Sequence, residues 1–484
     1  MPRIPVAMAG PAYPADSPAL NPQRCINLFP VPGGPGGKAQ AALYRTPGMA
    51  RFAEPGTAPV RGMHVFGDLL FAVSGDRLWH LSESGAAREV TTPATRLATP
   101  HGRVSMADNG LVMLIVDGAR GYLWDGATLA PVTDPAFPGV TDGAGPTQAA
   151  FLKGYFLVDA PAWAGRFFVS GPYAVDPAAF VGGGGTSWAT AEARPDPLAA
   201  LVAHGPYLWL LGEGSTEVWY PSDDVVPFDP IGGREAEVGC AAPWSVAHTP
   251  DSLFWLARGH DGGLSVVRGG AGGIEPVSTP PIGRLLELER ESAATATGLT
   301  HAEGGHTFYQ LNIGSRSLVF DLSTGLWHER AAWDQPNAVY RRHPADMQVH
   351  FAGRTLVGDY RTGRILHLSR EHTTDDGAVL RWERVAAPVH EAGRTLFFRR
   401  LELDLETGLT GPETPDPHIL LDWSDDGGHT WSTPRHLPLG APGRYGARVA
   451  ANRLGSARQR VFRVAGSDPS PTAILAAWAD VDAS

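Results

Sequence analysis

Gly67–Ser82 reads GDLLFAVSGDRLWHLS, and Gly353–Ser369 reads GRTLVGDYRTGRILHLS. Both are a short apolar run, a turn of Gly, Asp or Ser, and a second run centred on aromatic or aliphatic residues. In the first, Leu69–Val73 leads through Ser74-Gly75-Asp76 into Leu78–Leu81. Gly supplies open dihedrals and Asp accepts turn amides, so this pattern predicts a tight antiparallel hairpin. Similar hairpins begin near Leu111, Tyr155, Tyr207, Leu253 and Thr307, and the seventh begins at Thr355. Their starts are 42, 44, 52, 46, 54 and 48 residues apart. A hairpin unit recurring at that period is the sequence form of a β-propeller blade. Two or three β-sandwiches are the alternative, but a sandwich spaces its strands more closely. The expected architecture is all-β, a propeller of about seven blades, with six the alternative count.

Past about Asp375 the period breaks. Strands are expected around Leu396–Leu405, His418–Trp423, Arg448–Ala451 and Arg460–Ala465, with a loop from Pro412 to Pro417. The predicted division is therefore an N-terminal arm or loop segment over 1–61, a propeller over 62–375, and a sandwich-like all-β domain over 376–484. The arm carries a Gly/Pro cluster at Val31–Gly37, and such a segment serves as an arm or as blade closure. Ile282–Ser292 alone mixes apolar and charged residues at helical spacing, as a piece that caps or joins blades.

Composition agrees with a turn-rich fold. The chain of 484 residues holds 59 Gly and 43 Pro without a collagen period, and 43% hydrophobic residues, enough for a sizeable core. The net charge of −11 excludes a global basic field for wrapping nucleic acid. Lys38 and Lys153 are the only lysines, so positive charge is nearly all Arg, the better residue for bidentate and stacked contacts. Cys25 and Cys240 make neither a disulfide framework nor a cysteine zinc site, and suit a reducing compartment. No signal-peptide pattern and no apolar run of membrane-spanning length is expected.

Ser424-Asp425-Asp426-Gly427-Gly428-His429-Thr430-Trp431 fits the Asp-box pattern, in which Ser424, Asp426, Gly428 and Trp431 build a turn. Sialidase-type propellers carry several such boxes as structural turns; here one stands outside the propeller units. Glycosidase chemistry needs two carboxylates flanking the scissile bond. Asp223-Asp224 and Asp425-Asp426 are adjacent pairs in turn-like sequence and read as solvated. No G-x-S-x-G elbow or H-E-x-x-H occurs. Gly33–Lys38 resembles a phosphate loop only loosely, since Ala39 stands where Ser or Thr is needed. His301 with His306, or His343 with His350, would meet only through tertiary structure. Gly182–Gly185 reads as a loop tip. The expectation is no catalytic residue, no cofactor and no metal.

One cluster is unusual. Between Gly427 and Ser467 there is no Asp or Glu, while Arg435, Arg444, Arg448, Arg453, Arg458, Arg460 and Arg463 fall there. These arginines are solvent-facing and paired with acids elsewhere, or form a protein interface, or touch nucleic acid.

Gly305-His306-Thr307-Phe308-Tyr309 followed by Val319–Arg330 resembles a signature of the phage stabilisation protein family, the tail hub or packaged-DNA stabilisation proteins of short-tailed bacteriophages. Further matches are Thr46-Pro47-Gly48 with Val60-Arg61-Gly62, Met106–Gly110, Ile115–Gly118, Ser215–Tyr220, Gly239–Ala242, and Ser424–Trp431 with Arg453-Leu454-Gly455. The resemblance implies a structural virion protein, assembled in the host bacterial cytoplasm. It implies a sixfold homo-oligomeric ring below the portal and its adaptor ring protein, which retains packaged DNA and meets a tail needle, tailspike or other distal tail protein. Proximity to double-stranded DNA would be transient, and no membrane is involved. The family carries no catalytic residues over. The competing classes are a propeller glycosidase or lyase acting on host surface polysaccharide, and a glycan-binding tail protein.

Overall fold

In a computed structural model the described residues are 3–483, except 16, 18, 19, 142, 164, 182–187, 192, 193, 195, 412 and 413. The Gly182–Gly185 run and the start of the Pro412–Pro417 loop lie outside them. The molecule is all-β, with one α-helix among the described residues, Pro280–Leu288.

The period seen in the sequence is a ring of antiparallel blades. Six stand as separate sheets. Their inner strands are Val60–Phe66, Ser105–Asp108, Ala149–Leu152, Leu198–His204, Ala247–Thr249 and Ala345–Phe351. A seventh four-stranded unit, Thr297–Glu303 to Leu326–Asp334, continues into a larger sheet. Seven apolar seams close the ring. One, for example, joins Phe71 and Val73 to Met113 and Ile115, and the last joins Leu356 and Ile365 to Leu70 and Ala72. Because both faces of each blade meet a neighbour, strands such as Met113–Val116 are buried at every residue rather than at alternate ones.

The predicted hairpins are the second and third strands of each blade. Tyr207–Gly212 with Thr216–Pro221 is one such pair, and Arg354–Asp359 with Ile365–Ser369 another. The helix Pro280–Leu288 buries Ile282 and Leu286 in the seam between the blades of Phe254 and Tyr309, so it does join two blades.

The C-terminal part is a two-layer sandwich. One layer runs Leu28–Pro32, Ala41–Arg45, Ala473–Ala483, Leu396–Leu405, Val449–Asn452. The other continues outward from the propeller strand Leu326–Asp334 through Arg24–Ile26, Trp382–Val385, Gln459–Gly466 and His418–Ser424 to Arg435–Pro438. Leu401, Leu421, Phe462, Val464 and Ala479 fill the space between the layers.

The described residues of 1–61, expected as an arm or loop segment or as blade closure, are rich in short strands. Gly48–Ala53 is the outer strand of the last blade, antiparallel to Ile365–Ser369. Arg3–Pro5, Leu28–Pro32 and Ala41–Arg45 belong to one sandwich layer and Arg24–Ile26 to the other. These strands are three to six residues long, and apart from the hairpin of Leu28–Pro32 with Ala41–Arg45 they pair with partners hundreds of residues away.

Buried arginines fasten the assembly. Arg45 donates to the carbonyls of Asp468, Ser470, Thr373 and Leu380 at 2.6–2.9 Å. Arg61 holds the carbonyls of Gly75, Thr99, His101 and Gly102. Arg384 donates to the carbonyls of Met8, Ala7 and Pro11. A planar fork with five donors suits several carbonyls at once, which a lysine ammonium does not.

Candidate interaction surfaces

The seven arginines of the 435–463 cluster divide by environment. Arg460 is buried, forks onto Asp425 at 2.6 and 2.7 Å, and donates to the Leu454 carbonyl. Arg463 forks onto the buried Asp422 and lies 4.0 Å over the Trp431 ring. Arg435 donates to the carbonyls of Asn452 and Arg453 and stacks on Trp423, closing the distal edge between the two sandwich layers. Arg444, Arg448, Arg453 and Arg458 are exposed, and none forms an ion pair among the described residues. They flank the edge strand Val449–Asn452 and the short strand Ser456–Ala457, which pair with opposite ends of Leu396–Leu405. Tyr445, 73% exposed, stands between Arg444 and Arg448.

The Asp-box residues form a closed local turn. Asp426 accepts from the Ser424 and Thr430 hydroxyls and from the amides of His429 and Thr430, and Gly428 donates to Ser424 Oγ. Those donors, the Ser424 hydroxyl foremost, hold the Asp426 carboxyl well below the usual range. Asp425 faces Arg460 instead, so the two neighbouring carboxylates do not converge on a common point. Asp223 and Asp224 are exposed in the turn before Phe228–Pro230.

At the propeller axis, residues at the start of the inner strands or just before them close the centre. Asp346 accepts from Thr297 Oγ1 and from Arg103 at 2.9 Å, and also pairs with Arg342. Arg103 stacks on Trp244. A cavity of about 410 Å³ beside it is lined by residues of five blades, among them His64, Asp108, Phe151, Trp244 and His248. Asp108 is the only carboxylate lining it, paired with His64 at 2.7 Å. Glycoside hydrolysis by two carboxylates has no second partner there.

Of the histidines singled out by sequence, His301 and His306 both stack on Phe308, with His306 bonding Asp321 at 2.7 Å, while His343 is buried and His350 exposed. Among the described residues no group of three His, Cys, Asp or Glu is gathered as a metal site. Cys25 and Cys240 are buried and reduced, and burial pushes their thiols up to about 11 and about 12. Gly33–Lys38 turns the hairpin between Leu28–Pro32 and Ala41–Arg45, and Lys38 pairs with Asp404.

Burial keeps His301, His328 and His343 neutral, with the Arg330 charge adding to it; His328 is lowered to about 3. A depressed imidazole stabilises the fold above its unfolded value near pH 6.5 and loses that contribution as pH falls. Asp375 opposes them: burial raises it to about 6, so its contribution is full below about pH 4 and lost as pH rises through about 6. Depressed histidines outnumber the raised carboxyls Asp159, Asp375 and Glu383, which predicts a lower urea midpoint at pH 4.5 than at pH 7, with a smaller drop in His328→Gln. A midpoint that holds or rises on acidification rejects this balance.

The descriptions of known families place this architecture. "Bacteriophage P22 Gp10, beta-propeller" matches residues 3–373, and "Bacteriophage P22 Gp10, beta-sandwich" matches residues 381–482. The chain belongs to the phage stabilisation protein family. Its members are phage structural proteins, and this chain carries both of the family's parts in order. No curated protein matches the chain. Solved structures similar to it include the computationally designed Ika8 protein, at 11% identity and a TM-score of 0.38, over 72% of this chain and 99% of that one. The Neurospora crassa Pan2 WD40 domain is similar at 10% identity and 0.41, over 66% and 95%. The extracellular domain of BT4673 from B. thetaiotaomicron is similar at 8% and 0.42, over 77% and 43%.

Two features of the stabilisation protein escaped sequence reading. One is the axial Arg103–Asp346–Arg342 closure, in which Arg103 lies 243 residues from Asp346. The other is the split of the arginine cluster into fastened and free members, which depends on partners at Asp422 and Asp425.

Proposed function

We propose that this phage stabilisation protein is a tail hub or head-closure component. In this reading it forms a ring below the portal and adaptor, retains packaged DNA, and connects to the distal tail. The propeller, about 62–375, and the sandwich, 376–484, act as one stiff wall segment. The observation that carries the reading is the family match over both parts, set on a fold whose two bodies share one continuous sheet. A wall around a channel needs stiffness and broad subunit contacts rather than a nucleophile. The net charge of −11 suits a conduit, because a strongly basic lumen would hold DNA through its phosphates and slow release. The arginine cluster accordingly faces protein, not the lumen. Assembly takes place in the host cytoplasm.

Deleting the gene from its phage tests this directly. The expected result is heads that package DNA and then lose it, seen as empty particles by electron microscopy. Filled, stable particles that merely fail to adsorb would instead support a polysaccharide-directed tail protein and reject the hub.

A further inference from the structure

The free arginines at the sandwich edge have a counterpart elsewhere on the same chain. Residues 205–240 contain seven acids and one base, Arg234, which is engaged by the carbonyls of Gly270 and Ala271. A cleft of about 620 Å³ opens there on the outer rim of two adjacent blades. Its apolar lining is Trp188, Trp219 and Phe228, with Val225 81% exposed at its side. Its carboxylates are Asp224, Asp229 and Glu235, and Glu217 accepts from the Trp219 indole. Carboxylates at the mouth of such a cleft make a receptor for a guanidinium or a phenol hydroxyl; of the aromatic walls, Trp219 and Phe228 are buried and Trp188 already carries the Arg166 guanidinium at 3.6 Å.

The ligand of matching chemistry is the segment Arg444-Tyr445-Gly446-Ala447-Arg448, with Arg453 and Arg458 continuing the positive edge. Tyr and Arg are the side chains that most often anchor protein interfaces. The two surfaces diverge within one molecule. The arginine edge ends one sandwich layer at Val449–Asn452, beside Arg435–Pro438, which ends the sheet that leaves the propeller at Leu326–Asp334 five strands and roughly 24 Å further out. The acidic cleft lies on the rim two blades away from that exit. Neither surface therefore satisfies the other in the same chain.

We propose that the occupant of the acidic cleft is the Arg444–Arg448 edge of a second copy of this chain. The contact is head-to-tail: each copy offers its sandwich edge to one neighbour and its propeller rim to the other. Such heterologous contacts close into a ring when the rotation permits. The inference rests on the hub reading and supplies the subunit contact that reading needs.

The test uses the deletion phage complemented with variants, counting DNA-filled infective particles. All changed residues are exposed, and thermal melting of each purified variant checks that it folds as the parent does. R444E/R448E and D223K/D224K are each expected to lower the count by at least about tenfold, and Tyr445→Ala to act in the same direction. Placing both reversals in one chain is expected to restore it. Undiminished counts in both reversals overturn the contact while leaving the hub function standing. Losses that the combined reversal does not restore overturn it as well, since the faces then meet other partners. Filled particles that fail only in adsorption assign the cleft to host glycan and overturn it too. Unchanged filling in the uncomplemented deletion removes the hub reading itself.

Discussion

Replacing Arg45 by methionine is expected to lower the free energy of unfolding by about 4 kcal/mol, read as a shift in the urea midpoint without change in slope. Arg45 is buried, and its side chain occupies four carbonyls that come from three separate stretches of chain. Thr373 and Leu380 lie where the last blade hands over to the sandwich, and Asp468 and Ser470 precede the final strand. Methionine matches much of the volume but takes the guanidinium donors away from all four carbonyls in a closed space, where Asp468 keeps the Ser470 amide and Ser470 the Thr472 hydroxyl. Each buried orphan costs about 1–3 kcal/mol, so losing the donors at Thr373 and Leu380 accounts for most of the expected sum. Arg45→Lys is expected to recover less than half, because one ammonium with three donors does not span four carbonyls. A loss under about 1 kcal/mol in the methionine variant would falsify the clasp.

Asn27 is the second site. It is fully buried at φ 54°, and its side-chain amide donates to the carbonyls of Ala331 and Arg381 while its oxygen accepts from the Ala331 amide. One side chain thus ties the N-terminal strand to the propeller's exit strand and to the start of the sandwich. Alanine there loses three bonds and must still adopt the left-handed conformation. The expected loss is about 4 kcal/mol, of which roughly 1–2 is conformational. Glycine removes the bonds but not the conformational ease. Asn27→Gly should therefore fall between the parent and Asn27→Ala, and equal losses in the two variants would assign the whole cost to hydrogen bonding.

Much of the fold was legible because propeller blades are local. Each hairpin buries its own two strands against the next hairpin, so the apolar runs and their turns recur in sequence as they do in space. The sandwich strands Leu396–Leu405 and His418–Ser424 were legible for a similar reason: long apolar alternation bounded by turns. Trp382–Val385 and Arg435–Pro438 were not, being four residues each and rich in charge. Arg384 and Arg435 look like surface residues until their carbonyl partners are known.

The interaction surfaces were half legible. An acid-free run with seven arginines is visible in the sequence, but which of them are free is a question about Asp422 and Asp425. In the sequence the acidic rim shows only as Asp223-Asp224, two adjacent acids in a solvated turn. Its meaning emerges when Trp188, from the neighbouring blade, is seen beside Asp224.

The N-terminal strands set an order of events as the chain is made. Gly48–Ala53 waits for Ile365–Ser369, and Arg3–Pro5 waits for the strand that ends at Ala483. These strands are therefore made hundreds of residues before their partners. At about 5–20 residues per second, synthesis leaves them exposed for tens of seconds. The ring of blades cannot latch until Ile365–Ser369 is made, nor the sandwich seal until Ala473–Ala483 is. Closure is thus a slow, long-range step.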